Sequence, residues 1–352
     1  MIVHTDCRHF RGDIPCQPHK AHSVHCEGCD FYDPVEQRLL IIKLGAIGDV
    51  IRTTPLLRKL REVYPRAEIF WLTHFPEVVP KLVDQVMPFD LASILTLRAT
   101  SFDILFNLDK DKEACALGNL ISAKVKKGFR LEEGKCAPVD AASHDKFLTG
   151  LFDDVNKANR KSYLQEIFEI CGFTFSGEKY VLDNFAAEGY RWQIDEPGPL
   201  VGLNTGCGGR WKSRLWPEEN WTELAGKLKS VGLRVLLLGG EQEHEKNLRI
   251  ARQSGATYLG HFPLKQFINL VDQCHLVVTA VTMALHIAIG LEKKVVLFNN
   301  VFNRHEFELY GLGEILEPEF DCTCYYSPEC PNNCMQYIYV DRVLETCRRL
   351  LG

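Results

Sequence analysis

Long apolar runs are missing from this chain. The longest near-apolar stretch, residues 276–291, is interrupted by His286 and two threonines, so it is too short and too polar to span a bilayer. The opening, MIVHTDCRHFRGD, lacks the apolar core of a secretory signal. A cytoplasmic location is the expectation, extended at most to a peripheral place at the inner face of a membrane. Positive charge is not in excess either. The 41 lysines and arginines are outnumbered by 46 aspartates and glutamates, for a net charge of −5. That leaves no electrostatic basis for nucleic-acid binding. No short internal repeat or low-complexity tract occurs. What remains is a globular composition, 46% hydrophobic and 25% charged, over 352 residues, enough for two domains with substantial cores.

The most informative stretch is residues 39–72. An apolar strand, 39–44, runs into the turn Gly45-Ala46-Ile47-Gly48-Asp49. A helical apolar pattern follows (Ile51, Leu56, Leu57, Leu60, Val63, Tyr64), then a second strand over 68–72. Pro55 is tolerated only near a helix start, so the helix should begin near Asp49 or Ile51. This is a strand–turn–helix–strand unit of a parallel sheet. Its glycine spacing is not the G-x-G-x-x-G dinucleotide fingerprint. Gly45 and Gly48 let backbone approach a ligand, and the helix start favours an anion. Asp49 either caps that helix or acts on a substrate.

Downstream, strands are expected at 102–108, 200–204, 234–238, 276–279 and 294–298. Helices are expected at 161–171, 217–231, 241–253, 264–274, 282–290 and 339–350. Residues 1–36 are Cys/His-rich and aperiodic. Domains are expected at 37–195 and 196–318, separated by the linker Glu196-Pro197-Gly198-Pro199. A Cys-rich segment with a closing helix occupies 319–352. In the second half, the loop from Asn204 to Pro217 carries Thr205, Gly206, Arg210, Lys212 and Arg214 ahead of a helix, a reasonable phosphate cradle. A solvated loop is the plainer alternative. Lys124, Lys126, Lys127 and Arg130 form a basic run that is either a solvated face or a receiver for an anionic acceptor.

Fourteen cysteines are many. Two groups stand out: Cys7-x8-Cys16-x9-Cys26-x2-Cys29, with five histidines among them, and Cys322-x-Cys324-x5-Cys330-x3-Cys334. Four soft ligands on a short looped segment suit a tetrahedral zinc or iron site; disulfides and unligated thiols are the alternatives. The other six, Cys115, Cys136, Cys171, Cys207, Cys274 and Cys347, read as buried or inert thiols.

The run K-L-G-A-I-G-D-V-I-R-T-T-P-L-L-R-x-L-R-x-x-Y-P-x-A-x-I resembles the opening of glycosyltransferase family 9, the heptosyltransferases of lipopolysaccharide core synthesis. The resemblance continues in W-P-E-E-N-W at 216–221 and in V-V-T-A-V-T-M-A-L-H at 277–286. It implies an α/β GT-B fold, two Rossmann-like domains facing a cleft. It implies an inverting transfer of a heptose-type sugar from a nucleoside-diphosphate donor, ADP-heptose, to a lipopolysaccharide core, related glycan or protein acceptor. Asp49 takes the place of the family's base. Arg214 stands where lysine usually holds the donor diphosphate, with Lys212 able to share the task. Glu241, or alternatively Glu243, falls at the ribose position, and Thr282 and His286 fall at the sugar and pyrophosphate turn. Two departures matter there: Val281 replaces the usual aspartate and Met283 the usual glycine. They leave open a catalytically weakened GT-B binding or assembly protein; a nucleotide-sugar epimerase has only architecture in its favour. Resemblance to the dodecameric autotransporter heptosyltransferases, which hold iron on a cysteine finger, implies a structural rather than catalytic metal. It leaves self-association and the merging of the two clusters into one site open.

Overall fold

The structure, a computed structural model, describes residues 1–184, 192–194 and 198–352. Glu196 and Pro197 of the expected linker lie outside the described residues. In chain order the elements begin with α1 (Gln17–His22), β1 (Gln37–Ile42), α2 (Ile47–Thr53), α3 (Pro55–Val63), β2 (Ala67–Thr73), β3 (Gln85–Pro88) and α4 (Leu91–Ala99). Then come β4 (Ser101–Asn107), α5 (Lys112–Leu120), β5 (Ser122–Glu132), β6 (Lys135–Pro138), α6 (Ala141–Thr149), α7 (Asp153–Ala158) and α8 (Tyr163–Cys171). The later part holds β7 (Leu200–Asn204), α9 (Glu218–Ser230), β8 (Arg234–Leu238), α10 (His244–Ser254), α11 (Leu264–Asp272) and β9 (Leu276–Ala280). It closes with α12 (Met283–Gly290), β10 (Lys294–Phe298), β11 (Gly313–Leu316) and α13 (Val340–Leu351). No helix among the described residues is long and apolar enough to cross a membrane.

Two compact units result. One comprises residues 1–45, 54–147 and 167–178; the other comprises 46–53, 148–166 and 179–352. The first unit is built on a sheet of order β3-β2-β1-β4-β5-β6, parallel except for the β5–β6 hairpin. Central strand β1 is buried over Leu39, Leu40, Ile41 and Ile42, the continuous apolar run of a strand covered on both faces. Leu40 lies opposite Phe70 and Leu105, and all three belong to one core. The second unit has a parallel sheet of order β11-β10-β9-β7-β8. Its core stacks Trp216, Trp221 and Phe298, with ring centroids 4.8–5.6 Å apart.

Two expected helices are interrupted. The first ends at Thr53 and restarts as α3, because Pro55 can occupy only a first helical turn. The second opens as a short 3-10 turn, Glu241–Glu243, before α10. The basic run lies on β5 and its members are engaged: Lys124 with Asp103 at 2.7 Å, Lys127 with Asp140 at 2.9 Å, Arg130 with Glu132 at 3.1 Å, and Lys126 with the Asn119 carbonyl at 3.0 Å. Of the six scattered cysteines, five are buried and Cys136 is half-buried. Burial pushes the Cys274 and Cys347 thiols up to about 12, which keeps them protonated and inert.

Candidate functional site

In an open parallel sheet, ligands bind beyond the strand carboxyl ends where the strand order reverses. In the second unit that point lies between β7 and β9. Asn204, the last residue of β7, spans it. Its Nδ2 donates to the Gly206 carbonyl at 3.2 Å, to Thr279 Oγ1 at 3.0 Å and to Thr282 Oγ1 at 3.3 Å. Thr282 is also the N-cap of α12, accepting from the Ala284 N–H at 3.2 Å.

Arg214 reaches this point from the loop after β7. Its guanidinium donates to the carbonyl of Cys207 at 2.8 Å and to the carbonyl of Val281. Its Nε is buried with no partner, and burial lowers its pKa. No carboxylate pairs with it among the described residues. Trp211 and Phe302 flank the cation, their ring centroids 5.7 and 5.6 Å from Cζ. A desolvated cation held only by carbonyls has charge to spare for an anion. Lys246 on α10 is a second such group: burial lowers its pKa, and its Nζ donates to the Thr205 carbonyl at 2.8 Å. Val281, standing where the resembled family has aspartate, takes part through its backbone oxygen.

The other expected donor residues differ in availability. The Thr205 hydroxyl is already spent on Asn247 Oδ1 at 2.6 Å. Lys212 and Glu241 are exposed. The Glu243 carboxylate folds back to the Gly240 N–H at 3.0 Å. Gly45 belongs to the first unit. There the buried Asp109 accepts the Leu44 and Gly45 N–H groups at 2.8 and 3.3 Å and pairs with the buried Lys43 at 3.3 Å. That ion pair sits at the first sheet's own reversal, between β1 and β4.

The second unit also carries Asp49. It lies in the first turn of α2, with Arg52 one turn on at 2.8 Å. Arg52 stacks on Tyr163, Cζ to ring centroid 3.6 Å, and lies 4.0 Å from Glu306. Burial works against the Arg52 charge, but Asp49, Tyr163 and Glu306 outweigh it and raise the pKa. Gly48 packs on α12 so closely that a Cβ there would lie 2.6 Å from Cδ2 of His286. His286 is buried, and its Nδ1 lies 3.2 Å from the Tyr180 hydroxyl. Burial, reinforced by Arg52, lowers its pKa to about 3, so the imidazole is neutral across the physiological range. α12 therefore joins both halves of the site: Val281, just before its N-cap, holds Arg214, and its middle packs against the helix of Asp49. Arg52 had a sequence signal, since i+3 from Asp49 places both on one helical face. Glu306 and Tyr163 had none.

The C-terminal cysteines gather. Ligand atoms of Cys322, Cys324 and Cys330 all lie within 4.8 Å of one another, and the Cys322–Cys330 sulfurs are 3.5 Å apart. Four thiolates about 2.3 Å from one ion are about 3.8 Å apart, so the spacing fits a tetrahedral site. The Cys324 N–H points at the Cys322 sulfur at 3.4 Å. Cys334 adjoins them, its sulfur 3.4 Å from Asn300 Nδ2. The loop inside this finger holds the Arg214 loop. The Ser213 N–H donates to the Pro328 carbonyl at 2.9 Å and its hydroxyl to the Ser327 carbonyl at 2.7 Å. Asn300, which touches Cys334, also donates to the Ser213 carbonyl at 2.7 Å.

Two Rossmann-type sheets with sites at their strand ends define the GT-B class. The sequence profile of glycosyltransferase family 9 (heptosyltransferase) matches residues 91–306, and the chain belongs to that family. It is 28% identical over 131 residues to the lipopolysaccharide core heptosyltransferase OpsX of Haemophilus influenzae. That stretch covers 33% of this chain and 37% of the relative. The Escherichia coli ADP-heptose lps heptosyltransferase II shares the fold at TM-score 0.66 and 18% identity, over 89% of this chain and 98% of that one. The iron-containing dodecameric glycosyltransferase TibC of enterotoxigenic E. coli shares it at TM-score 0.55 and 14% identity, over 89% and 76% of the two chains.

The buried imidazole makes stability pH-dependent. Its folded pKa lies below the unfolded value of 6.5, so the unfolded chain binds the extra proton. Stability from this group is complete above about 6.5 and is lost as pH falls toward 3. His286→Gln should flatten the fall in thermal midpoint between pH 6.5 and 4. An unchanged slope would show that His286 is not held neutral.

Proposed function

We propose that this chain is an inverting glycosyltransferase, moving a heptose-type sugar from ADP-heptose to a lipopolysaccharide-core sugar or a related glycan or protein acceptor. The observation that carries the reading is the half-buried Arg214 guanidinium, its Nε buried and without a carboxylate partner among the described residues, at the switch point of a family 9 chain. The donor diphosphate would take up its charge, with Lys246, Lys212 and the Thr282 cap nearby. Asp49 would accept the proton of the acceptor hydroxyl while that oxygen attacks the anomeric carbon. The bond to the diphosphate breaks on the opposite face, and Arg214 receives the developing negative charge. Arg52 is a positioning residue, holding the Asp49 carboxylate and itself fixed by Tyr163 and Glu306. Gly48, Glu241 or Glu243, and His286 complete the proposed donor surroundings in this unit.

ADP release measured over a panel of nucleotide sugars tests the whole reading, and turnover of ADP-heptose is the expected result. Binding of ADP with no turnover of any donor would instead favour a weakened binding or assembly protein, the reading that Val281 and Met283 support. Asp49→Asn should lower turnover by about 100-fold or more while leaving donor affinity intact; near wild-type turnover would remove Asp49 from the chemistry. Arg214→Ala should weaken ADP binding by about 1.5–3 kcal/mol, the range for a charge-assisted hydrogen bond. Unchanged calorimetric affinity would move the phosphate site elsewhere, Lys246 and Lys212 being next.

The finger would hold one structural zinc or iron ion on Cys322, Cys324, Cys330 and Cys334. The proximity of their sulfurs supports this, and so does the iron-containing neighbour. Because the finger loop carries Ser213, removing the metal should weaken ADP binding by about 1–3 kcal/mol, the scale of the two hydrogen bonds at stake. Titration calorimetry on metal-loaded and metal-depleted protein, with the fold monitored by circular dichroism, checks this. Equal affinities would uncouple finger and donor loop.

A further inference from the structure

The first 36 residues have a defined path but almost no core. Pro18 is their single buried residue. Ile2, Val3, Phe10, Ile14, Phe31 and Tyr32 are between 38% and 56% exposed. Apolar burial therefore cannot hold the segment, and α1, at six residues, is far too short to persist alone.

Its two ends are fastened. Cys7 and Pro34 form an antiparallel bridge. The Arg8 N–H donates to the Asp33 carbonyl at 2.8 Å, and the Val35 N–H to the Asp6 carbonyl at 2.8 Å. The Arg8 side chain pins this bridge to the first sheet, reaching Asp33 at 2.9 Å, Asp84 at 2.6 Å and the Ala67 carbonyl at 3.1 Å. The chain between the fastened ends, residues 9–31, has no comparable anchor in apolar packing.

What it has is sulfur. Cys7, Cys16, Cys26 and Cys29, from four separate points of the segment, all line one cavity of about 310 Å³, and all four are unpaired thiols. Cys26 and Cys29 bracket a tight turn, closed by the Cys29 N–H on the Cys26 carbonyl at 3.3 Å. The turn needs the left-handed backbone of Gly28, φ +72°, and it presents a two-thiol chelate. Cys16 is the N-cap of α1, and His19 follows three residues later in its first turn. His19 also lines the cavity. Its Nδ1 donates to the Val24 carbonyl at 2.8 Å, which leaves the Nε2 lone pair free. A ring oriented in this way is how proteins present an imidazole to a metal.

We infer that the N-terminal segment is a second metal centre, separate from the C-terminal finger, in which Cys7, Cys16, Cys26 and Cys29 ligate a thiophilic metal, zinc or iron. The metal replaces the missing core as the cross-link, and with Arg8 it fastens the segment to the first sheet. Among the described residues, no three ligand atoms of this segment lie as close together as those of the finger. The cavity accordingly admits a bare ion after closure, or an iron–sulfur cluster without it.

The test uses the full chain carrying Cys322→Ser, Cys324→Ser and Cys330→Ser, so that only the N-terminal centre can fill. Elemental analysis should find at least one equivalent of zinc or iron per chain. Adding Cys26→Ser and Cys29→Ser should remove it. Colour near 400 nm identifies iron–sulfur, and a colourless zinc protein identifies the mononuclear ion; either supports the inference. A folded finger variant free of both metals would overturn it. So would disulfides among these four cysteines in non-reducing mass spectrometry. Should the finger variant fail to fold, thiol labelling of the native wild-type chain decides. Protection of the four N-terminal cysteines, lost on chelation together with new tryptic cleavage after Arg11 and Lys20, is expected. Rapid labelling before chelation would overturn the inference.

Discussion

The close approach of Gly48 to the buried imidazole of His286 is the contact on which the candidate site depends. Only a residue without a side chain fits there, since a Cβ would sit 2.6 Å from the ring, well inside van der Waals contact. The contact lets α2 lie against α12, and that placement carries Asp49 and Arg52 with it. His286 is buried beside a permanent cation, so it stays neutral and does not compete for Asp49. Arg52 then distributes one charge over Asp49, Tyr163 and Glu306, groups from three separate stretches of chain. The half-exposed Asp49 carboxylate is thereby tied to a more deeply buried network, the arrangement that would hold it in place for the role proposed for it.

The opposite end of α12 follows a different logic. Arg214 is desolvated, yet its partners are carbonyl oxygens. A desolvated cation of this kind costs stability while it has no anionic partner, which is the physical basis of the diphosphate role proposed for it. Substituting valine for the family's aspartate at 281 leaves the arrangement intact on this side, because the contact to Arg214 is made by backbone. What it changes is the surface offered to a sugar hydroxyl, which valine cannot bond.

The cysteines divide by the amount of apolar material around them. Cys171 and Cys347 sit in helices and Cys274 in the turn before β9, all buried, and they behave as small apolar residues. The four in the N-terminal segment lie in loops that bury little, where the proposed metal would stand in for a core, whereas Cys334 is buried beside core residues Met335 and Ile338. The C-terminal finger has a further consequence, since its loop backbone supplies two of the hydrogen bonds that hold Ser213, the residue beside Arg214.

Much of the fold was legible locally. β7, β8 and β10 span the ranges expected for them, because each is a short run of buried β-formers bounded by turn residues, whereas the single helix expected after Asp49 is split at Pro55 into two. The β5–β6 hairpin, α4 and α5 were not legible. α4, LASILTLRA, carries apolar residues on every face and leaves Leu91 and Leu95 exposed, so periodicity had little to report. The sequence by itself determined the two-sheet α/β architecture, the family, and the candidates Asp49, Arg214 and the cysteine sets, because these are written in contiguous motifs. Only the tertiary structure decided which candidates are available. It spent the Thr205 hydroxyl on Asn247, turned Glu243 back on its own helix start, recruited Lys246, Tyr163 and Glu306, and tied the finger to the Arg214 loop. The reason is physical: desolvation and hydrogen-bond partnership depend on residues distant in the chain, and no local pattern records which of them will meet.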